Sequence, residues 1–257
     1  MQSIQNQTFP DWELLVIDDN STDDTEKLIR QFYHDKRIKL VKNKHSHSAA
    51  GARKTGYELA QGEYIAYLDS DNTAAPEWLA TVLDRIDRYP GAKFVFPAHN
   101  TQVLLWKDKK FHMLRESCGF PTLPDEVSVW QHKFEGDPNG LVHISSARDL
   151  IEGWDENLRS YEDYDYALQL LIAYPNGILF VPQALINYTR LYGESGLCSE
   201  STYDDILKSL IYIDDKYKSN SHWQNLSTFN DKIADYTQLR NKGYSPLQRV
   251  IEKYGIR

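Results

Sequence analysis

Twice before residue 72 a short apolar run stops in a cluster of aspartates, and this pattern constrains the fold more than any other feature of the chain. Glu13 to Ile17 closes in Asp18-Asp19-Asn20-Ser21, and Tyr64 to Leu68 closes in Asp69-Ser70-Asp71. Apolar runs of this length, bounded by turn-forming residues, are buried strands, so the acids sit at strand C-terminal ends. Between them Ser21 or Thr22 can cap a helix with apolar positions Leu28, Ile29, Phe32 and Tyr33, whose first turn suits Asp23, Asp24 and Glu26. A strand over Arg37 to Val41 and a helix over Ala49 to Gln61, stopped by Gly62, precede the second acidic turn; a helix over Trp78 to Arg88 and a strand over Phe94 to Phe96 follow it. Strands alternating with helices predict an α/β fold, a mostly parallel sheet sandwiched by helices. Ligands of such sheets bind beyond the strand carboxyl ends, which places Asp18, Asp19, Asp69 and Asp71 on one rim.

Residues 100 to 138 read as a loop-rich excursion with one hairpin. Beyond them come a strand over Leu141 to Ser145, a helix over Tyr164 to Tyr174 with Leu168, Leu171 and Ile172 on its apolar face, and a strand over Ile178 to Val181. From residue 199 the pattern is helical and polar, so the expected division is a core domain over 1–198 and a helical C-terminal extension over 199–257. The net charge of −8 argues against nucleic acid, whose binders concentrate positive charge. Cys118 and Cys198 stand apart with no metal-ligand spacing, which suits a reduced, cytoplasmic setting. There is no secretory signal pattern and no apolar window of about eighteen residues, so the expectation is a chain without a transmembrane segment, in peripheral contact at most with the inner face of the plasma membrane. The sequons at Asn6, Asn20, Asn187 and Asn225 then carry no weight.

Asp69-Ser70-Asp71 can present two carboxylates to one ligand, and hard divalent cations such as Mn²⁺ or Mg²⁺ take oxygen ligands and pair with diphosphates. Two acids in a turn also serve as plain turn formers. Glu162-Asp163 precedes the Tyr164 helix, where the acids either complement the helix N-terminus or supply a general base. Asp69-Ser70-Asp71-Asn72-Thr73 also fits the pattern of haloacid-dehalogenase-like phosphatases, although that motif belongs on the first strand of its domain.

The order of motifs adds more than any one of them. Asn6-Gln7-Thr8-Phe9-Pro10-Asp11-Trp12-Glu13 running into Val16-Ile17-Asp18-Asp19 resembles the opening signature of family 2 glycosyltransferases of the GT-A fold. Gly51-Ala52-Arg53-Lys54-Thr55-Gly56 resembles that family's ARN-type segment, Gly62 to Asn72 its metal-site strand, Glu152-Gly153-Trp154-Asp155-Glu156 its GGFDE-like turn and Glu162-Asp163-Tyr164-Asp165 its ED motif. The resemblance implies an inverting transfer from a nucleotide diphospho-sugar, a UDP-sugar by preference, to a carbohydrate or glycoconjugate hydroxyl in polysaccharide synthesis. By the same resemblance Asp19 would bind a uracil-type base, Arg53 would lie beside the nucleotide, Asp69 would approach the ribose or metal, Asp71 would coordinate the metal, and Asp163, with Glu162 beside it, would be the base. Trp106, Trp130 and Trp154 could stack on sugar rings, with Trp154 preferred as acceptor platform because it adjoins the GGFDE-like turn.

Two departures stand out. The family's first strand, central between those carrying Asp19 and Asp69, has no counterpart here, which implies a fragment, a misassigned start or another segment in its place. Asn187 to Tyr192 resembles the family's YR-x-H stretch but carries Tyr192 where histidine is frequent, and a phenol is a poor metal ligand; His45, His47, His99, His132 and His143 are candidate substitutes, although most histidines are simply surface or hydrogen-bonded residues. A nucleotide-sugar-binding module without turnover is the alternative that these departures favour.

Overall fold

The computed structural model describes residues 1–107, 109–118, 138–193, 202–226 and 228–253. After a short helix α1 (Gln2–Gln5), β1 (Leu14–Asp18) and β2 (Ile38–Lys42) flank α2 (Thr25–Arg30), and α3 (Ala49–Leu59) leads to β3 (Tyr64–Ala66), β4 (Thr73–Ala74) and α4 (Trp78–Arg88). Two long strands, β5 (Phe94–Lys107) and β6 (Lys110–Cys118), form a hairpin; β7 (Val142–Ile144) precedes α5 (Glu162–Ala173) and a third long strand, β8 (Ile178–Gly193). Helices α6 (Tyr203–Tyr217), α7 (Ser221–Leu226), α8 (Phe229–Asn241) and α9 (Pro246–Lys253) follow. The expected elements are present, but α2 is shorter than its apolar spacing suggests: Ile29 is buried while Leu28 and Tyr33 face solvent.

The α/β layering is as expected, and the pairing is mixed. β1 and β2 are parallel, as are β5 and β8, while β3–β7, β5–β7, β4–β8 and β5–β6 are antiparallel. The main sheet runs β3-β7-β5-β8-β4, with β6 on β5; β1 and β2 form a separate two-stranded sheet. Every residue of β1 is consequently only half-buried, although its apolar sequence reads as a covered strand. Among the described residues no strand pairing joins the two sheets.

The core follows the period of two along β5. Phe94 and Phe96 point to one side, where they join Tyr67, Trp154, Tyr166 and Leu168; Val95 points to the other, against Trp78, Val82 and Ile86 of α4. Covered on both faces, this stretch of β5 has no polar positions. Leu210, Ile213, Tyr217, Trp223 and Phe229 of the C-terminal helices are buried in the same cluster as α5. Lys216 reinforces that contact: its ammonium lies 3.0 Å from the fully buried Asp165 and 3.4 Å from Asp155 and Glu152, and Tyr217 donates its hydroxyl to Asp165 at 2.8 Å. Burial pushes the Asp165 carboxyl up, against the pull of Lys216 and Tyr217.

His143 is buried on β7, where Nδ1–H donates to the Ile144 carbonyl at 2.9 Å and Nε2 accepts from Tyr166 at 2.8 Å. Burial pushes it down from 6.5 to about 4. The folded form therefore holds it neutral where the unfolded chain protonates it. Its stability contribution is complete above pH 6.5 and declines as pH falls toward 4, by about 2 kcal/mol at pH 5. Denaturant titrations at pH 7 and pH 5 should show that loss, with a smaller slope in His143→Gln.

Candidate active site

The site is organised by α3, and its approach to the chain before it is tight. Ser48 caps the helix by accepting the Gly51 amide at 3.0 Å, and a Cβ on Gly51 would run into the backbone of Ser46. From this helix three consecutive side chains reach three different motifs. Arg53 donates to both oxygens of Asp69, at 2.8 and 3.0 Å, and to Glu162 at 2.9 Å. Lys54 donates to Glu156 at 2.8 Å, and Glu156 also accepts the Ser46 amide at 2.7 Å. Those two contacts, Lys54 first, hold the Glu156 carboxyl down to about 2. Thr55 donates to Asn43 at 2.7 Å, and Asn43 donates to Asp19 at 2.6 Å.

Arg53 is the centre of charge. Burial opposes its cationic form, and Asp69 and Glu162 more than offset that, so its pKa is pushed up. Its guanidinium lies 4.9 Å from the centre of the Trp154 ring, on which Tyr166 stacks at 4.2 Å. Trp154 is 1% exposed. Its ring is thus committed to Arg53 and Tyr166, and the structure corrects the expectation of an acceptor platform: Trp154 supports the arginine from below and presents no open face to a sugar.

Asp69 is fixed from a second side by Asn139, whose amide donates to it at 2.9 Å and whose carbonyl accepts the Asp69 backbone N–H at 2.6 Å. Asn139 is fully buried and is itself held by the His99 ring, which donates to its backbone carbonyl at 2.8 Å. The turn depends on Gly140, at φ +83°, where a Cβ would meet Ile186 and Pro97. Sequence reasoning missed this residue; the signal was the Asn-Gly pair in Pro138-Asn139-Gly140.

Asp71 follows on the loop between β3 and β4 and is exposed, while its neighbour Asn72 is buried and accepts the Thr189 amide at 2.8 Å. Asp163 accepts the Tyr164 amide at 2.7 Å at the start of α5, beyond Tyr161, which stands in the left-handed region at φ +65°. Arg53, Asp69 and Glu162 are thus brought together. Asp163 adjoins Glu162 and adds to the charge around Arg53. Asp19 sits in the neighbouring Asn43 network, with His47 at 3.4 Å. His45 bridges Glu58 and Glu156, and His99 and His143 belong to the interior. Trp130, His132 and Cys198 lie outside the described residues. Tyr192 stands on β8 opposite Leu105. Among the described residues no three acidic, histidine or cysteine side chains converge as a metal cage.

A recess of about 580 Å³ opens between β5, β6 and β8, lined by Asn100, Gln102, Glu116, Asn187, Tyr188 and Thr189 among others. Asn187 donates to Thr73 at 3.1 Å, so the recess shares its wall with the loop carrying Asp71.

The profile of the family described as "Glycosyl transferase family 2" matches residues 1–148. Among curated relatives, the Escherichia coli UDP-Glc:alpha-D-GlcNAc-diphosphoundecaprenol beta-1,3-glucosyltransferase WfgD is 44% identical over 84 residues, which is 33% of this chain and 31% of that protein. An uncharacterized glycosyltransferase of Haemophilus influenzae is 24% identical over 262 residues, covering 99% of this chain and 82% of that one. Among solved structures, S. aureus TarS 1-349 in complex with UDP-GlcNAc superposes with a TM-score of 0.63 at 18% identity, over 95% of this chain and 68% of that one. The complex of the same protein with UDP gives 0.60 at 16% identity, over 93% and 65%. The likeness in structure shows the GT-A fold. With the profile covering more than half of its length, and in the part that holds Asp19, Arg53, Asp69, Asp71 and Asn139, the chain belongs to glycosyl transferase family 2.

Proposed function

We propose that the protein transfers a sugar from a UDP-sugar to a hydroxyl of a carbohydrate or glycoconjugate acceptor, with inversion, in the assembly of a cell-surface polysaccharide. The observation that carries this reading is the junction at Arg53, where separated motifs meet around one guanidinium and both carboxylate oxygens of Asp69 are oriented. A degraded binding module has no need to keep an ED motif tied to a ribose-side aspartate. The relatives add support: WfgD is named for a UDP-Glc donor and a diphosphoundecaprenol-linked acceptor, and TarS was crystallised with UDP and UDP-GlcNAc. Membership of the transferase family leaves no place for the phosphatase reading of Asp69, whose oxygens are held by Arg53 and Asn139.

In this reading Asp19 takes the base and Asp69 the ribose. Asp71 is the one exposed carboxylate of the triplet, and Asp69 is engaged by protein donors. That donor set suits a divalent cation that arrives with the diphosphate and is completed by water and phosphate oxygens, because Mg²⁺-type sites characteristically use one or two carboxylates plus substrate. When bound, the cation would neutralise charge on the departing diphosphate. Asp163 removes the proton from the acceptor hydroxyl as its oxygen bonds to the anomeric carbon and the bond to the diphosphate breaks. Glu162 accepts from Arg53, and Asp163 beside it at the start of α5 takes the basic role in this reading, as the resemblance implies. The polar recess beside Thr189 suits the acceptor.

The metal role has its own test. Calorimetric titration of UDP into the protein should show binding strengthened by Mn²⁺, and Asp71→Ala should abolish the strengthening while leaving the metal-free affinity nearly unchanged. Equal Mn²⁺ enhancement in the variant would remove Asp71 from that role.

A further inference from the structure

The β5–β6 hairpin and the adjoining part of β8 extend beyond the two core clusters, and their outer end carries apolar and basic side chains together. Register places Trp106 opposite Phe111 and Leu104 opposite both Met113 on β6 and Leu191 on β8. With a period of two along each strand, Leu104, Trp106, Phe111, Met113 and Leu191 share one face. Phe111 is 60% and Met113 53% exposed, and the Trp106 and Phe111 rings lie 4.5 Å apart. Exposed apolar side chains gathered on one surface mark an interaction site more often than scattered ones do.

Charge identifies the partner. Between residues 104 and 115 stand Lys107, Lys109, Lys110 and Arg115 against the single acid Asp108, in a chain whose net charge is −8. Lys107 and Lys110 stand opposite each other at the end of the ladder, on the reverse face of the hairpin from Trp106 and Phe111. Aromatic, methionine and lysine side chains together suit the boundary of an anionic bilayer, where apolar groups enter the acyl region and ammonium groups meet lipid phosphates.

We infer that this hairpin end is a membrane-docking element that enters an anionic bilayer tip first, with Leu104, Trp106, Phe111 and Met113 on one face in its interface, and Lys109 at the turn and Lys110 on the reverse face against its headgroups. The recess at the hairpin base lies on the same strands, between the docked end and Asn72. An acceptor sugar carried on a membrane lipid would then need to reach only along the hairpin to the catalytic side. The inference does not depend on the transfer reaction, because a protein without turnover would dock in the same way.

Sedimentation with vesicles decides it. The protein should pellet with vesicles of equal parts phosphatidylcholine and phosphatidylglycerol, and far less with phosphatidylcholine alone or at high salt. Phe111→Ser with Met113→Ser, and separately Lys109→Glu with Lys110→Glu, should each lower the bound fraction at least about tenfold while circular dichroism and UDP affinity stay unchanged. Absence of binding to the anionic vesicles, or binding that survives both double variants, would overturn the inference. So would light scattering showing that the unaltered chain self-associates and that the Phe111/Met113 variant does not, since the face would then belong to a second copy.

Discussion

Arg53→Ala is expected to lower the stability of the protein by about 3 kcal/mol and to reduce transfer below detection. The guanidinium is 13% exposed and is the shared partner of Asp69 and Glu162. Removing one member of a buried ion-paired group leaves the others charged with no counter-ion, which costs more than the pairing itself contributes. The ring of Trp154 would also lose the cation above it. Arg53→Lys separates charge from shape: it should recover part of the stability but little of the activity, because one ammonium cannot hold two carboxylates in the planar fork that aligns Asp69. Thermal melts and UDP release, measured on both variants, distinguish the two contributions. Stability and turnover close to those of the unaltered protein in Arg53→Ala would contradict the central position given to this residue.

Asp163→Asn carries the other large effect. The asparagine keeps the size of the side chain and can still accept the Tyr164 amide, so the fold and donor binding should persist. It cannot take a proton from an acceptor hydroxyl, and the loss of a positioned general base should slow turnover by about 10² to 10⁴-fold. Glu162→Gln is the informative companion. It should weaken the tie to Arg53 and lower stability with a smaller fall in turnover, reversing the balance seen in Asp163→Asn. If Glu162→Gln proves the slower enzyme, the two acids exchange roles.

Much of this arrangement is legible in the sequence because it rests on local rules. The apolar runs ending in Asp18-Asp19 and Asp69-Ser70-Asp71 mark strand ends directly, and the order of the motifs points to one site for Arg53, Asp69 and Glu162. What the sequence does not disclose is which contacts each side chain makes. Trp154 next to a functional turn reads as a sugar platform, but the aromatic cluster of Tyr67, His143 and Tyr166 draws it inside, a tertiary effect with no local signal. Asn139 follows a segment of irregular pattern, and its hold on Asp69 spans 70 positions of sequence. The mixed pairing of the main sheet is equally non-local, since β7 enters between β3 and β5 from a distant part of the chain. Strand length also escaped: β5 and β8 continue far past their apolar cores because they pair with each other and with β6, and the polar and aromatic residues of that extension do not resemble a buried strand.

Donor turnover is the property that decides whether this is a glycosyl-transfer site. The direct measurement is UDP release by the purified protein from a panel of UDP-sugars with Mn²⁺ and a lipid-linked or oligosaccharide acceptor, run beside Asp163→Asn. Acceptor-stimulated release from at least one donor, lost in the variant, is the predicted result. A folded protein that binds no UDP and releases none from any donor would contradict the assignment of a glycosyl-transfer site around Arg53.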